Sequence, residues 1–406
     1  MNKLSMSIDR NFERYIGFEH SGGKAIAAAT VLGTMGALTI LVMPGLLGVI
    51  VNAFGLDDQQ IGLLASVEIF TMAIATGAVT PAISRFNWRV LGGIGLAILA
   101  IGNFVSIVAT DFHGILWARG IAGVGEGIAV AVSFSALGVT RDPDRSFGIY
   151  LVFGLVFSAI VLAVLPLIVH IGEHALVFGL LAALCAVSAL LLPWQSPQSP
   201  EREEHSHDQH VPIPYLPVAL GLAMVTLFFI AQGAVWSYLE RMGAVRNIDP
   251  QSIGNALSLS AMAGVAGAGI AMLVGSNIRR SIPITISIAV QVVSMLWLAR
   301  PFSEWGFFAA VMMFNFGWNL CQPYFSGIMS EMDPEGRVVV LMGSLQTIGV
   351  AAGPFIAAAT IGHRQYQSIC YLGIGFVLGS LLMFYVLLRL WRRAHNVLAP
   401  SFVTGA

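Results

Sequence analysis

Arg119 and Glu126 stand in the stretch WARGIAGVGEGIAV, residues 117–130, where nearly every other side chain is apolar or absent. Glu68 lies in a similarly apolar run. A guanidinium or carboxylate facing hydrocarbon at a helix centre costs at least about 2.5–3.5 kcal/mol. Each of the three is therefore expected to face a bundle interior or a wet cavity. Arg119 and Glu126 are seven positions apart, which puts them on one helix face about 10 Å apart along the axis. That is too far for a tight contact unless the side chains reach toward each other, so each is expected to find another partner. Glu68 enters from the same membrane side as Arg119 and at similar depth, and a Glu68–Arg119 pair across two helices is the simplest solution. Glu126 then has no assigned cation, and such a carboxylate can take up and release protons. The chemistry this suggests is an organic carboxylate held by Arg119, with a proton carried by Glu126 first and Glu68 second. The alternative is a buried polar network that only holds the helices together.

A second group of candidates is uncharged. Asn315, Trp318, Asn319 and Gln322 fall on one helical face, Gln232 and Trp236 are four apart on another segment, and Gln346 is the main polar residue of a third. Amides and indoles can bind neutral or amphipathic groups by hydrogen bonds and stacking, or can bond helix to helix. Gly123 and Gly127 make a G-x-x-x-G pair, with Gly120 and Gly125 beside them. Small residues let helices approach closely, so this helix is expected to pack tightly on one side and to project its charges into a cavity. G264-V-A-G-A-G269 reads as the same packing device, since no strand precedes it as a phosphate-binding loop would need.

The elements that position these residues follow from the composition. Of 406 residues 57% are hydrophobic and 10% charged, with mean hydropathy +0.82, whereas soluble domains are about a quarter charged. Twelve apolar runs are long enough to cross a bilayer, near 25–51, 60–83, 90–109, 114–139, 147–170, 174–193, 214–239, 252–275, 282–299, 305–330, 338–361 and 366–391. The expected fold is an all-α membrane protein of two six-helix bundles, 25–193 and 214–391. A short N-terminal arm (1–24), a polar linker (194–213) containing H-S-H-D-Q-H, and a tail (392–406) complete it. With both ends placed in the cytoplasm, fifteen Lys and Arg collect on that side and four (Arg241, Arg246, Arg300, Arg364) on the other. The positive-inside rule favours this orientation.

The halves also resemble each other. D57-D-Q-Q-I-G62 matches D249-P-Q-S-I-G254 at an offset of 192, and R141-D-P-D-R145 faces M332-D-P-E-G-R337 at nearly the same offset. Two parallel repeats related by an axis along the membrane normal are expected. Net charge near −1 gives no hint of nucleic-acid binding. Cys185, Cys321 and Cys370 sit in apolar runs and form neither a disulfide framework nor a metal spacing. No nucleophile elbow, zinc-protease motif or Walker loop points to an enzyme.

Twelve spans in two parallel halves with a central linker resemble the major facilitator superfamily over essentially the whole chain. R119-G-I-A-G-V-G-E-G127 is similar to the family's fourth-helix signature. Its longer form resembles organic-anion symporters of the sialin and vesicular glutamate type, and also spinster-type transporters. In both groups the corresponding Arg and Glu are linked to substrate binding or proton coupling, and the resemblance implies those roles for Arg119 and Glu126. The loop motif after helix two is degenerate: in S84-R-F-N-W-R89, Ser84 stands where the family has Asp and Asn87 where it has Gly, and G275-S-N-I-R-R280 is also eroded. The first span lacks the acidic residue that many proton-coupled relatives carry.

The expectation is thus a secondary transporter working by alternating access. It would be a monomer in the plasma (inner) membrane, surrounded by the lipid bilayer, with no cofactor and no nucleic-acid partner. It would move a small organic solute, an organic anion as first candidate, by proton-coupled symport. The runners-up are efflux or flipping of a lipid-like or drug-like compound, and a ligand-binding receptor without transport.

Overall fold

The structure, a computed structural model, describes residues 22–83, 85–197, 215–275, 278–332, 337–361 and 365–398. Most of the N-terminal arm, the linker histidines, Ser84 and the end of the tail lie outside the described residues. Among the described residues all regular structure is helical. The N-terminal helices are α1 (Gly23–Phe54), α2 (Asp58–Ile83), α3 (Trp88–Val108) and α4 (Phe112–Gly138), followed by one long run, Pro143–Ala189. That run is broken at Gly172 (φ −143°, ψ 20°) and Glu173 (φ 56°, ψ −160°) into two arms, α5 (143–171) and α6 (174–189). A short 3-10 turn, Leu192–Trp194, follows. The remaining helices are α7 (Tyr215–Ala244), α8 (Pro250–Val274), α9 (Ser281–Leu298), α10 (Glu304–Met332), α11 (Arg337–Thr360) and α12 (Gln367–Leu398).

The helix starts explain why the repeated motif recurs. Asp57 Oδ1 accepts from Gln60 N (2.8 Å) while Gln60 Oε1 accepts from Asp57 N (3.0 Å), a reciprocal box that satisfies two orphan donors at the start of α2. Asp249 caps α8 by accepting from Gln251 N (3.0 Å) and Ser252 N (3.2 Å), with Pro250 in the first turn. Asp142 accepts from Arg145 N (3.1 Å) with Pro143 next to it. Asp57, Asp142 and Asp249 are thus helix caps.

Ten described helical segments are long and apolar enough to cross a membrane, and one of them, Arg145–Trp194, has 50 residues. At 1.5 Å per residue that length is more than twice a hydrocarbon core of about 30 Å. The break at Gly172–Glu173 lets it cross twice. α10 is long enough at 29 residues but is not among the ten; Asn315, Asn319 and Gln322 lower its apolar content. The outer faces are apolar, with Ile101, Phe104, Val108 and Trp117 all more than half exposed. In a lipid solvent that is the expected outside.

The chain divides into two compact units, Met1–Ser206 and His207–Ala406. Within the first, α4 packs against α1, α2 and α3, and the broken helix packs on α1 and α3. Within the second, α10 packs against α7, α8 and α9, and α7 packs on α11 and α12. The repeat extends to individual crossings. A Cβ added at Gly125 would meet the backbone of Leu99 and Gly95, and one added at Gly317 would meet Gln291 and the Ser287 carbonyl. All three positions shift by 192 from one unit to the other.

Candidate functional site

The sequence expected α4 to be crowded on one side only, and the structure differs. Gly123 lies against the Glu68 carbonyl and Thr71 of α2, Gly127 against the Met72 carbonyl of α2, and Gly125 against α3. From α1, Gly36 lies against the Glu126 carbonyl. With bare backbone on several faces α4 is enclosed, and its charges point into the gap between neighbouring helices rather than into an open cavity. Arg119 is 0% exposed and Glu68 and Glu126 are 1% exposed, while Trp117 on the same turn is 75% exposed.

The guanidinium is fully engaged inside the N-terminal unit. Arg119 Nε donates to Glu68 Oε1 at 2.9 Å, and Nη2 donates to the same oxygen. Nη1 donates to Asn103 Oδ1 at 2.9 Å and Ser106 Oγ at 3.4 Å, both on α3. The ring of Phe178 on α6 lies 5.3 Å from the guanidinium carbon, within cation–π range. The Glu68–Arg119 pair expected from the sequence is therefore present. The expected separation of Arg119 from Glu126 is not: Nη2 lies 3.8 Å from Glu126 Oε1. The long side chains lean toward each other across two turns, which the alternative of leaving a buried carboxylate without any cation makes favourable. Glu126 also accepts from Thr39 Oγ1 of α1.

Two carboxylates thus converge on one Arg119 nitrogen, and the cluster becomes electrically neutral when a single proton is added. Among the described residues Glu68 Oε2 is buried without a hydrogen-bond partner. Two like charges beside one cation are costly in a dry site, so a single added proton suits the cluster as a whole.

The uncharged candidates lie in the C-terminal unit. Trp318 on α10 is the centre of a ring cluster, with centroids 6.3 Å from Trp236, 6.1 Å from Phe229 and 6.3 Å from Phe314. Asn319 Nδ2 donates to Asn315 Oδ1 (3.0 Å), and Asn315 Nδ2 donates to Ser260 Oγ on α8 (3.1 Å). Gln232 is fully buried and donates from Nε2 to Gln291 Oε1 on α9 at 2.8 Å, an interhelical bond. Trp318, Asn319, Gln322 and Gln346 are half-buried. No hydrogen bond or ring contact among the described residues brings the side chains of Gln322 and Gln346 to the Trp318 cluster, and Gln346 Nε2 is buried without a partner.

Thr39, Asn103, Ser106, Phe178 and Gln291 were not singled out from the sequence. Asn103 and Gln291 carried a usable signal, since each is the lone amide of its helix. The three cysteines are free and buried. Among the described residues no group of His, Cys, Asp or Glu could hold a metal. The loop after α2 is tied down without the family's Asp. Arg89 Nε donates to the Gln195 carbonyl (2.7 Å), and Trp88 N donates to the Pro197 carbonyl (2.9 Å).

Two helical units, each with an apolar outer face and a polar interior, define a multi-pass membrane protein. The Major Facilitator Superfamily sequence pattern matches residues 26–354, and the chain belongs to that family. Its members move small molecules across the bilayer without catalysing a reaction on them. A search of curated proteins gives no significant match. Among solved structures, the chain is similar to a point mutant of the nucleoside transporter NupG, with TM-score 0.70 at 12% identity, over 89% of this chain and 99% of that one. It is similar to a bacterial homologue of the human lysosomal transporter Spinster in an inward-facing, unoccupied conformation, with TM-score 0.67 at 15% identity, over 90% and 96%. It is also similar to the human organic anion transporter MFSD10 (TETRAN), with TM-score 0.63 at 15% identity, over 90% and 99%. At these identities the likeness is one of fold.

Proposed function

We propose that this protein is a proton-coupled secondary transporter of a small organic solute, with an organic anion as the first substrate class. What supports the coupling is the cluster of Glu68, Arg119 and Glu126, in which one guanidinium faces two carboxylates; it is closed to solvent here, so proton exchange belongs to another stage of the alternating-access cycle. Glu126 is the first choice for the proton carrier and Glu68 the second. Arg119 has its donors occupied by Glu68, Asn103 and Ser106. In this arrangement it is the counter-ion, and a substrate carboxylate would reach it only by displacing Glu68. Solute recognition falls to the C-terminal unit, where Trp236 and Trp318 offer stacking surface and Asn315, Asn319 and Gln322 offer amides. Gln232 and Gln346 support that face. Alternating access between units of this family supplies the transport cycle. Loop charge favours both ends in the cytoplasm and the plasma (inner) membrane as location, and the protein acts as a monomer.

The aromatic group around Trp318 favours a second reading, in which the solute is a lipid-like or drug-like amphipath. Purified protein in proteoliposomes distinguishes the readings. Organic-acid gradients that drive proton movement in the native protein, and no movement in Glu126→Gln, support symport of an anion. Flux confined to amphipathic compounds supports the second reading. Binding with no flux of any solute refutes both and leaves a receptor.

A further inference from the structure

Away from the ionic cluster, the C-terminal unit holds a cavity of about 440 Å³. Its rim carries Arg279 and Arg280 at the start of α9 and Glu331 near the end of α10, and its apolar wall is formed by the half-buried Ile328 and Leu388 over the buried Phe384 and Leu387. The volume suits an organic ligand, and the lining combines a charged mouth with an apolar floor.

The two arginines are not equivalent. Arg280 Nη2 bonds Glu331 Oε1 at 2.6 Å. The Arg280 guanidinium lies flat against the bare backbone of Gly327, where a Cβ would come within 3.4 Å of Cζ. Arg280 is thus fixed and neutralised. Arg279 is exposed and enters no ion pair among the described residues. The rim therefore keeps one net positive charge above a hydrocarbon wall. Free phosphate would match the charge and leave the wall wet. An amphiphile with an anionic head satisfies both, and a basic pocket between transmembrane helices is where such headgroups bind. The α8–α9 connection also sits on the side where the loop arginines gather.

We propose that this cavity binds an anionic glycerophospholipid of the adjoining leaflet, its phosphate at Arg279 and an acyl chain along Ile328 and Leu388. The site is independent of the transported solute. Glu331 limits the affinity, because it occupies Arg280 and repels the headgroup.

Native mass spectrometry of the full-length protein, released from detergent with equimolar phosphatidylglycerol and phosphatidylcholine of matched chains, tests this. The native protein is expected to retain one phosphatidylglycerol in preference to phosphatidylcholine. Arg279→Gln should lower that retention about fivefold, the effect of one basic residue at an anionic headgroup. Glu331→Gln should raise it, because Arg280 is released. Both residues are exposed, so both variants should fold. Unchanged retention in Arg279→Gln overturns the proposal. Inorganic phosphate that protects against heating as well as phosphatidylglycerol does, in an Arg279-dependent way, also overturns it by showing a site for the free ion.

Discussion

Glu126→Gln separates a proton carrier from a structural counter-ion. The substitution keeps the shape of the side chain, and its amide oxygen can still accept from Thr39 Oγ1. What it removes is charge. At 3.8 Å from Arg119 Nη2, an ionised Glu126 gains roughly 4 kcal/mol of gross attraction at an effective dielectric near 20. It also meets Glu68, bound to the same nitrogen, at comparable range and with opposite sign. The two terms nearly cancel, and an ionised carboxylate would still carry the cost of dehydration. A neutral residue at 126 should therefore leave stability within about 1 kcal/mol of the native protein, or raise it. For units of this size that is a change of no more than about 4 °C in the midpoint of thermal unfolding, read by intrinsic fluorescence in detergent. Arg119→Met is the contrast: it leaves two buried carboxylates without a cation and should cost about 3–5 kcal/mol. A loss of about 10 °C or more in Glu126→Gln would refute the reasoning, because it would mean that Glu126 is needed as a charge.

Other expectations follow from single contacts. Gly125→Leu would drive a side chain into the backbone of α3 at Leu99 and Gly95 and should destabilise by about 3 kcal/mol or more, seen as loss of the folded peak in size-exclusion chromatography. Gly148→Ala, on a helix face with nothing within 4 Å, should instead stabilise by about 0.5–1 kcal/mol, seen as a higher unfolding midpoint. Gln232→Leu strands the Gln291 amide and should cost about 1–3 kcal/mol, and the double variant with Gln291→Leu should recover most of that in a thermal double-mutant cycle. Trp318→Ala, which opens the ring cluster, should weaken solute binding at least about tenfold in a fluorescence titration while Glu126 continues to exchange its proton.

Much of the fold was legible because lipid imposes a long apolar period that survives without knowledge of packing. Asp57, Asp142 and Asp249, read in the sequence only as parts of repeated motifs, are local caps that need no tertiary partner, and the expected helix starts fell two to four residues late. The break at Gly172–Glu173 falls where the sequence placed a short connection, although the backbone there stays nearly helical on both sides. The ionic cluster was half legible. The cost of a lone charge predicted the Glu68–Arg119 pair, but side-chain reach along one helix is not a sequence property, so the approach of Glu126 to Arg119 was missed. The sealing of Arg119 was missed for a related reason. Glycines announce that helices come close without saying how many do, and α4 has close neighbours on α1, α2 and α3. Asn103 and Ser106 complete the guanidinium's shell from a third helix whose rotation no local pattern sets.

The central claim is that the Glu68–Arg119–Glu126 cluster carries the coupling proton. Its most direct test is solute-driven proton uptake in proteoliposomes loaded with a pH-sensitive dye, comparing the native protein with Glu126→Gln at equal incorporation. A solute-dependent pH change is expected in the native protein and none in the variant, with solute exchange between equal pools retained by both. An undiminished pH change in Glu126→Gln would contradict it.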